Sequence, residues 1–374
     1  MKLLVLAQTP PPMHGQSLMV RTLVEGLPAQ GIAVHHVNLR LSYDASDIGR
    51  WRPAKILAVL CGCLRAVAAR FRHGCDTLYY VPAPGKRGAL YRDWTVMLLC
   101  RPFFRRLVLH WHATGLGEWL AHEATAPERW LTRWLLGRAD LSLVLADSLR
   151  DDAETLGAKK IAVVSNGIAD PFEGKNAGAP GARTRQAQFQ VLYLGLCSEE
   201  KGLFAAAGAV IEANRRVATS AEMPTFVLQV AGPFPDHITE ERFAALSQTH
   251  PTSLRYCGMV QGDAKHTLLA DSDCLCMPTH YPHEGQPLVL LEALAYDLPV
   301  IATRWHAIPE TLPPEAMLVE PGDTEALAGA LVWLREHMPS AGVSRAPFLA
   351  NFTTKAHLNR LAGSLLTLEP RIDA

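Results

Sequence analysis

The segment His280-Tyr-Pro-His-Glu284-Gly-Gln-Pro-Leu-Val-Leu-Leu-Glu292 holds two carboxylates eight positions apart, with a turn and a helix start between them. Proline is favoured at the first position of a helix, so Pro287 marks the start and Glu284-Gly285-Gln286 forms the loop that enters it. The free N–H groups from Gly285 through Leu288 to Val289, aided by the helix dipole, then make an anion site. At ~1.5 Å rise per residue, Glu284 and Glu292 are expected roughly 10 Å apart along the axis, about the span from a hexose to a ribose across a diphosphate. Carboxylates grip vicinal diols through short charge-assisted hydrogen bonds, so one could hold each sugar. The spacing alone equally suits a surface helix with two unrelated glutamates.

Two other groupings invite a metal. His110 and His112 alternate along a strand-like run and so point to one face, but no carboxylate or third ligand accompanies them. Asp271-Ser-Asp273 has the form of a metal-holding D-x-D, yet it precedes the buried-looking run Cys274–Met277 and reads as structural. The eight cysteines include no C-x-x-C pair and lie mostly in apolar stretches, where the thiol is a small hydrophobe. Neither zinc, a disulfide framework nor any other metal site is expected.

These residues must be positioned by short apolar runs that alternate with longer amphipathic ones. The runs include Leu3–Ala7, Ala33–Val37, Thr77–Val81, Leu107–His112, Leu141–Ala146 and Ile161–Val164, then Val191–Leu194, Phe226–Ala231, Leu254–Cys257, Cys274–Pro278 and Val300–Thr303. Such alternation implies right-handed βαβ units with parallel sheets. At 374 residues, 49% of them hydrophobic and 19% charged, the chain has apolar material for two cores, which excludes a disordered or fibrous protein. The expected plan is an N-terminal Rossmann-like domain over 1–170, a Gly/Pro/Ala-rich linker over 171–187 and a second such domain over 188–351. The last segment, 352–374, reads as an amphipathic helix able to pack back on the N-terminal domain. The fold class is α/β, two doubly wound parallel-sheet domains facing a cleft, with sites at the carboxyl ends of the strands. No G-x-G-x-x-G follows either opening strand, which disfavours a dinucleotide-dependent oxidoreductase. The N-terminal apolar run is too short for a secretory signal, and no run approaches the ~20 residues that span a bilayer. A reduced, cytoplasmic protein is expected.

Glu284-x7-Glu292, followed by Pro299-Val300-Ile301 and Ile308-Pro309-Glu310, resembles the retaining GT-B glycosyltransferases of family 4 (glycosyl transferases group 1). The resemblance runs through Pro10-Pro-Pro-Met-His14-Gly15, His110-Trp-His112, Ser165-Asn166-Gly167, Tyr193-Leu-Gly195, Ser198-Glu-Glu-Lys201-Gly202, Val230-Ala-Gly232, Gly258 and Glu320-Pro-Gly-Asp323. Each motif is weak, but their order and spacing are specific. The resemblance implies that Glu284 lies near the donor sugar, that Glu292 binds the ribose and that Lys201 meets the diphosphate as a point charge. It also implies that Gly15 lets its loop approach the phosphates and that Met259 and Val260 lie beside the nucleobase. His112 matches the family histidine near the donor sugar, with His14 and His110 in acceptor or supporting roles. Lys201, Glu284 and His112 are thus the expected catalytic residues. The donor-binding residues would be Gly15, Gly195, Met259, Val260, Gly285, Gln286, Pro287, Leu288 and Glu292.

The chain departs from the family where arginine usually follows the glycine of the Gly195 turn, for Leu196 stands there. Either another basic residue such as Arg304 reaches in, or donor affinity falls. Asp297 and the pair His306-Ala307 replace glycines usual in the family.

The implied function is transfer of a hexosyl unit from a UDP- or GDP-linked sugar to a glycan or polyprenyl-linked acceptor in cell-surface polysaccharide synthesis, with no cofactor and no metal. A sugar-nucleotide epimerase on the same fold, or a non-catalytic sugar-nucleotide-binding subunit, are the alternatives. The 36 basic and 36 acidic residues cancel overall, which argues against nucleic acid as a partner. Divided, residues 1–185 carry 24 basic and 15 acidic groups, and 186–374 carry 12 and 21. Residues 50–106 hold twelve Lys/Arg against Asp76 and Asp93, interleaved with apolar and aromatic residues. That pattern suits an anionic membrane surface, and peripheral attachment to the inner face of the cell membrane is expected. A solvated basic face with no partner is the plainer reading.

Overall fold

β1 (Lys2–Ala7) is KLLVLA, and every residue after the lysine is buried, as a parallel strand covered on both faces requires. In this computed structural model the described residues are 1–40, 53–174, 187–217 and 225–368. Two compact units result, one of Met1–Gly167 with the stretch from Thr354 onward, the other of Ile168–Thr353.

In the first unit β1 is followed by α1 (Gly15–Gly26), β2 (Ala33–Asn38), α2 (Pro53–His73), β3 (Thr77–Tyr80), α3 (Arg87–Cys100) and β4 (Arg106–His110). Then come α4 (Leu116–His122), α5 (Ala126–Leu136), β5 (Leu141–Val144), α6 (Asp151–Thr155) and β6 (Ile161–Val163). The sheet order is β2-β1-β3-β4-β5-β6, with every pairing parallel. One face is covered by α2 to α5 through Val59, Leu90, Met97, Leu116 and Leu136. α5 is started by a reciprocal cap between Thr125 and Glu128, which satisfies two amides the helix itself cannot.

The second unit repeats the plan with β7 (Phe189–Leu194), α7 (Leu203–Val217), β8 (Phe226–Ala231), α8 (His237–Thr249), β9 (Leu254–Tyr256), α9 (Gly262–Asp271) and β10 (Cys274–Met277). It continues through α10 (Leu288–Ala295), β11 (Val300–Thr303), α11 (Ile308–Thr311), β12 (Met317–Val319), α12 (Thr324–Glu336) and α13 (Arg345–Asn351). The order is β12-β11-β10-β7-β8-β9, again all parallel. In a doubly wound sheet the ligand crevice lies at the carboxyl ends of the strands where the winding reverses. That point falls between β1 and β3 in one unit and between β7 and β10 in the other.

The division of the chain falls at 167/168 and 353/354, not at the expected 170 and 351, for a physical reason. Ile168 N–H donates to Phe352 O at 2.9 Å. Asp170 holds Arg345 through both carboxylate oxygens at 2.7 and 2.9 Å. Residues 168–174 are therefore fastened to α13. Of the expected linker, 175–186 lie outside the described residues, as do Arg50, Arg52 and 369–374.

α14 (Thr354–Leu366) belongs to the first unit. Its Leu358, Leu361, Ala362 and Leu365 share a core with Val20, Leu23 and Leu27. A Cβ on Gly26 would stand 2.3 Å from Leu358 Cδ1, so glycine at that point of α1 lets the two helices meet. Among the described residues, no helix is long and apolar enough to cross a membrane.

Candidate functional site

In the second unit the loops leaving β7 and β10 flank the winding reversal. Lys201 Nζ, after β7, lies 2.6 Å from Glu284 Oε2, after β10. The Glu284 side chain is only 7% exposed and that of Lys201 23%, so this is a largely dry ion pair. The Thr279 hydroxyl is 3.0 Å from the same carboxylate oxygen, and the ammonium stands 4.7 Å over the Tyr281 ring.

Two devices hold the loops together. His280 N–H donates to Glu200 O at 2.8 Å. Gly202, at φ +85°, leaves no room for a side chain, since a Cβ would stand 2.2 Å from Pro278 O. Left-handed backbone and close approach both demand glycine there. On the far side Trp305 Nε1 donates to Tyr281 O at 2.8 Å, and His306 Nε2 reaches Pro282 O at 3.1 Å. His306, at φ +46°, occupies one of the places where glycine was expected, and its ring clasps the loop that carries Glu284.

α10 begins at Leu288, and Pro287 is its N-cap with no side-chain hydrogen bond to the first turn. The expectation of Pro287 as the first helical residue is off by one, because its ψ of 124° is extended. Glu284 thus sits in the preceding loop, and the helical rise does not measure its separation from Glu292. Gly285, Gln286 and Pro287 are buried and Leu288 half-buried. Gln286 donates to Thr311 Oγ1 at 3.0 Å, which pins the turn to α11. The uncapped start of α10 keeps orphan N–H groups and a positive dipole end. One turn further on, Glu292 Oε1 meets Lys265 Nζ of α9 at 2.5 Å.

The remaining positions in this unit divide. Gly195 (φ +149°) and Gly232 (φ +145°) lie back to back, a Cβ on Gly232 falling 1.7 Å from Gly195 O. Met259 is 68% exposed and Val260 half-buried, just past Gly258 at φ +76°. Leu196 is 41% exposed. Arg304 pairs with Glu320 at 3.5 Å. Asp273 accepts Gln190 N–H at 2.7 Å, a strand-to-strand tie. Asp297, at φ +52°, accepts the N–H groups of Ser344 and Arg345 at 2.9 and 3.0 Å and also that of Gly342.

In the first unit β4 ends at His110, so His112 stands in the loop beyond and not on the strand. The two rings nevertheless lie 4.2 Å apart. His110 is fully buried, and its Nδ1 meets the Tyr79 hydroxyl. A third imidazole, His357 of α14, is also fully buried and turns Nδ1 to Ser165 O at 2.8 Å. A carbonyl only accepts, so the proton sits on Nδ1. The Nε2 atoms of His110, His112 and His357 are closed to solvent without a hydrogen-bond partner. Burial first, then the neighbouring imidazoles, drives His112 down to about 3 and holds His110 well below the usual histidine range. Burial, partly offset by the Ser165 carbonyl, brings His357 to about 4. All three are neutral at pH 7. His14 caps α1, its Nδ1 accepting Ser17 N–H at 3.3 Å, and burial lowers its pKa too. Gly15 opens α1 without left-handed backbone, so the turn itself does not demand glycine there.

The reading of the sequence missed Thr279, Tyr281, Lys265 and His357. Lys265 carried a faint signal, a basic residue one turn into the helix after Gly258. The other three become visible only when strands distant in sequence are set side by side. Among the described residues, no group of three or more His, Cys, Asp or Glu is arranged to hold a metal ion.

Residues 188–337 match the family model described as glycosyl transferases group 1. Over 208 residues the chain is 27% identical to the Salmonella typhimurium LT2 protein named as a colanic acid biosynthesis glycosyltransferase, WcaL. The match spans 53% of this chain and 48% of that one, about half the length of the curated relative. Sucrose-phosphate synthase from Thermosynechococcus elongatus superposes with a TM-score of 0.71 at 18% identity, covering 98% of both chains. Anabaena Alr3699/HepE, solved with UDP and glucose, gives 0.68 at 16% identity over 98% of this chain and 100% of that one. The fold is accordingly GT-B in type, two Rossmann-like domains with six parallel strands each.

Proposed function

We propose that this chain is a retaining, metal-independent glycosyltransferase that moves a hexosyl unit from a UDP- or GDP-linked sugar to a hydroxyl of a glycan or lipid-linked acceptor in polysaccharide synthesis. The observation that carries the reading is the dry Lys201–Glu284 pair, set by the loops of β7 and β10 at the winding reversal and just ahead of the uncapped start of α10. An ammonium and orphan amides gathered around one anion site stabilise the charge that develops on a departing diphosphate. Glu284 would then be released to accept hydrogen bonds from the sugar. Glu292, held in place by Lys265, would take the ribose diol through charge-assisted bonds. In the first unit a neutral His112 would donate to a sugar hydroxyl or to the reacting centre. The family match to residues 188–337 and the UDP named with the Anabaena protein support the donor class. The acceptor rests on the family resemblance, and the attachment to an anionic membrane through residues 50–106 on the composition of the first unit.

The test is a thermal-shift screen against a panel of nucleotide sugars, since a ligand that binds only the folded state raises its stability. NMR of the stabilising donor incubated with and without lipid-linked acceptors then reads the reaction. A product that appears only with acceptor and keeps the anomeric configuration supports the reading. Conversion of the nucleotide sugar alone would make the chain an epimerase, and binding without turnover on any acceptor would make it a binding subunit.

A further inference from the structure

α2 is amphipathic in an unusual sense, because its large apolar residues face outward. Its buried side is made of small residues, Val59, Cys63 and Ala66, with Gly62, where a Cβ would stand 2.7 Å from Leu39 Cδ1. Its outer side presents Ile56 (50% exposed), Leu57 (63%), Leu64 (71%) and Phe71 (68%). At 3.6 residues per turn these four, with Leu60, form one stripe, and Arg65 and Arg72 lie along its edge.

The surface does not stop at α2. Phe71 meets Phe103 edge-on, 6.0 Å between centroids, and Arg70 Nε donates to Phe103 O at 2.9 Å. Exposed Leu98 on α3 and exposed Trp130 and Trp134 on α5 continue it over the same helical layer. The two indoles lie nearly parallel, 5.8 Å apart. Arg101 bonds Leu135 O and Gly137 O and so ties the end of α3 to the end of α5.

Charge says what would cover this layer. Residues 53–136, which include α5, carry twelve Lys/Arg against Asp76, Asp93, Glu118, Glu123 and Glu128. Asp93 is buried and takes Tyr80 O–H, Ala83 N–H and Arg92, while Asp76 pairs with Arg106. Glu128 pairs with Arg87, so three of the five acids are engaged within the unit, and the layer keeps a net positive charge. A second copy of the chain on this face would set arginines against arginines, which disfavours self-association. A wide, apolar surface rimmed by cations with exposed indoles is what an anionic bilayer surface accepts.

We propose that the outer face of α2, α3 and α5 seats the first unit on an anionic lipid surface. α2 lies in the plane of the interface, Leu64 and Phe71 enter the acyl boundary, and Trp130 and Trp134 sit at headgroup level. This rests on the reading of peripheral membrane attachment and names its surface, which extends beyond residues 50–106 to α5.

The test is flotation of the full chain with vesicles of phosphatidylglycerol and, separately, of phosphatidylcholine, at low and high salt. Binding to the anionic vesicles, weakened by salt, is expected. The exposed double substitution L64E/F71E should reduce it at least ~10-fold, with an unchanged melting temperature and unchanged transfer to a soluble acceptor. Anionic vesicles should shift the tryptophan emission to the blue, and W130F/W134F should remove most of that shift. If the wild-type chain floats and L64E/F71E floats equally well, this face is wrong while membrane attachment stands. If the wild-type chain does not float at all, both fail together. Concentration-dependent dimerisation abolished by L64E/F71E would overturn the proposal in favour of a second copy.

Discussion

Lys201 and Glu284 meet across 83 positions of sequence, and each makes the other tolerable in a site that is nearly closed to water. Removing one partner of such a pair leaves the other charge uncompensated, so the two sides are not equivalent in their consequences. Lys201→Ala should lower both turnover, by at least ~100-fold, and melting temperature, because Glu284 keeps only Thr279 as a partner. Glu284→Gln should lower turnover as far while sparing more of the stability. Steady-state rates and melting curves of both variants check this, and near-wild-type rates in both would remove the pair from the chemistry. The histidines make a second prediction at this scale. The unfolded chain takes up a proton near pH 6.5, but the fold holds His357 to about 4 and His112 to about 3. The stability they contribute is therefore complete above pH 6.5 and is lost as pH falls from there, down to about 4 for His357 and about 3 for His112. Urea midpoints should decline across that window, and His357→Gln should flatten part of the decline. A wild-type profile without slope would contradict it.

Elements show why some features were legible and others were not. Leu3–Ala7 of β1 and Val191–Leu194 of β7 announce themselves as unbroken apolar runs, and the alternation of strands with helices sufficed to foresee parallel sheets. Seams between elements were not legible. In the sequence Asp297 shows only as a replacement for a glycine usual in the family, whereas its carboxylate gathers the amides that start α13. His306 breaks the expected glycine pattern, yet it clasps the loop that carries Glu284. α2 also misled in part, for its pattern of basic and apolar residues was plain, but not that small residues would turn inward. Asp297 supplies the prediction at this scale. Asp297→Gly keeps the backbone conformation but removes the acceptors, so it should cost about 2 kcal/mol by denaturant unfolding. Asp297→Ala adds left-handed strain and should cost more. Equal stability of the glycine variant and the wild type would show that the hydrogen bonds contribute nothing.

At the scale of the molecule, each unit has cores of its own on both faces of its sheet, and the charge that cancels over the chain divides between the two halves. The basic half carries Leu57, Leu64, Phe71, Trp130 and Trp134 exposed on its outer helices, so composition and surface point to one partner. α14 links chain order to stability, because it completes a core whose other members lie in the first third of the sequence, in β5 and at Val164 after β6. Truncation after Thr353 should speed hydrogen exchange in β1, α1 and β5 and leave the strands of the second unit protected. Exchange monitored by mass spectrometry checks this. Equal loosening of both units, or of neither, would show that α14 is not what closes that core.

The return of α14 also sets a timetable. At about 5–20 residues per second of synthesis, the stretch Ile168–Thr353 takes roughly 10–40 seconds to emerge. Through that interval the strands of the first unit exist while Val20, Leu23 and Leu27 lack their cover. An apolar face left open in this way is prone to aggregation until α14 arrives.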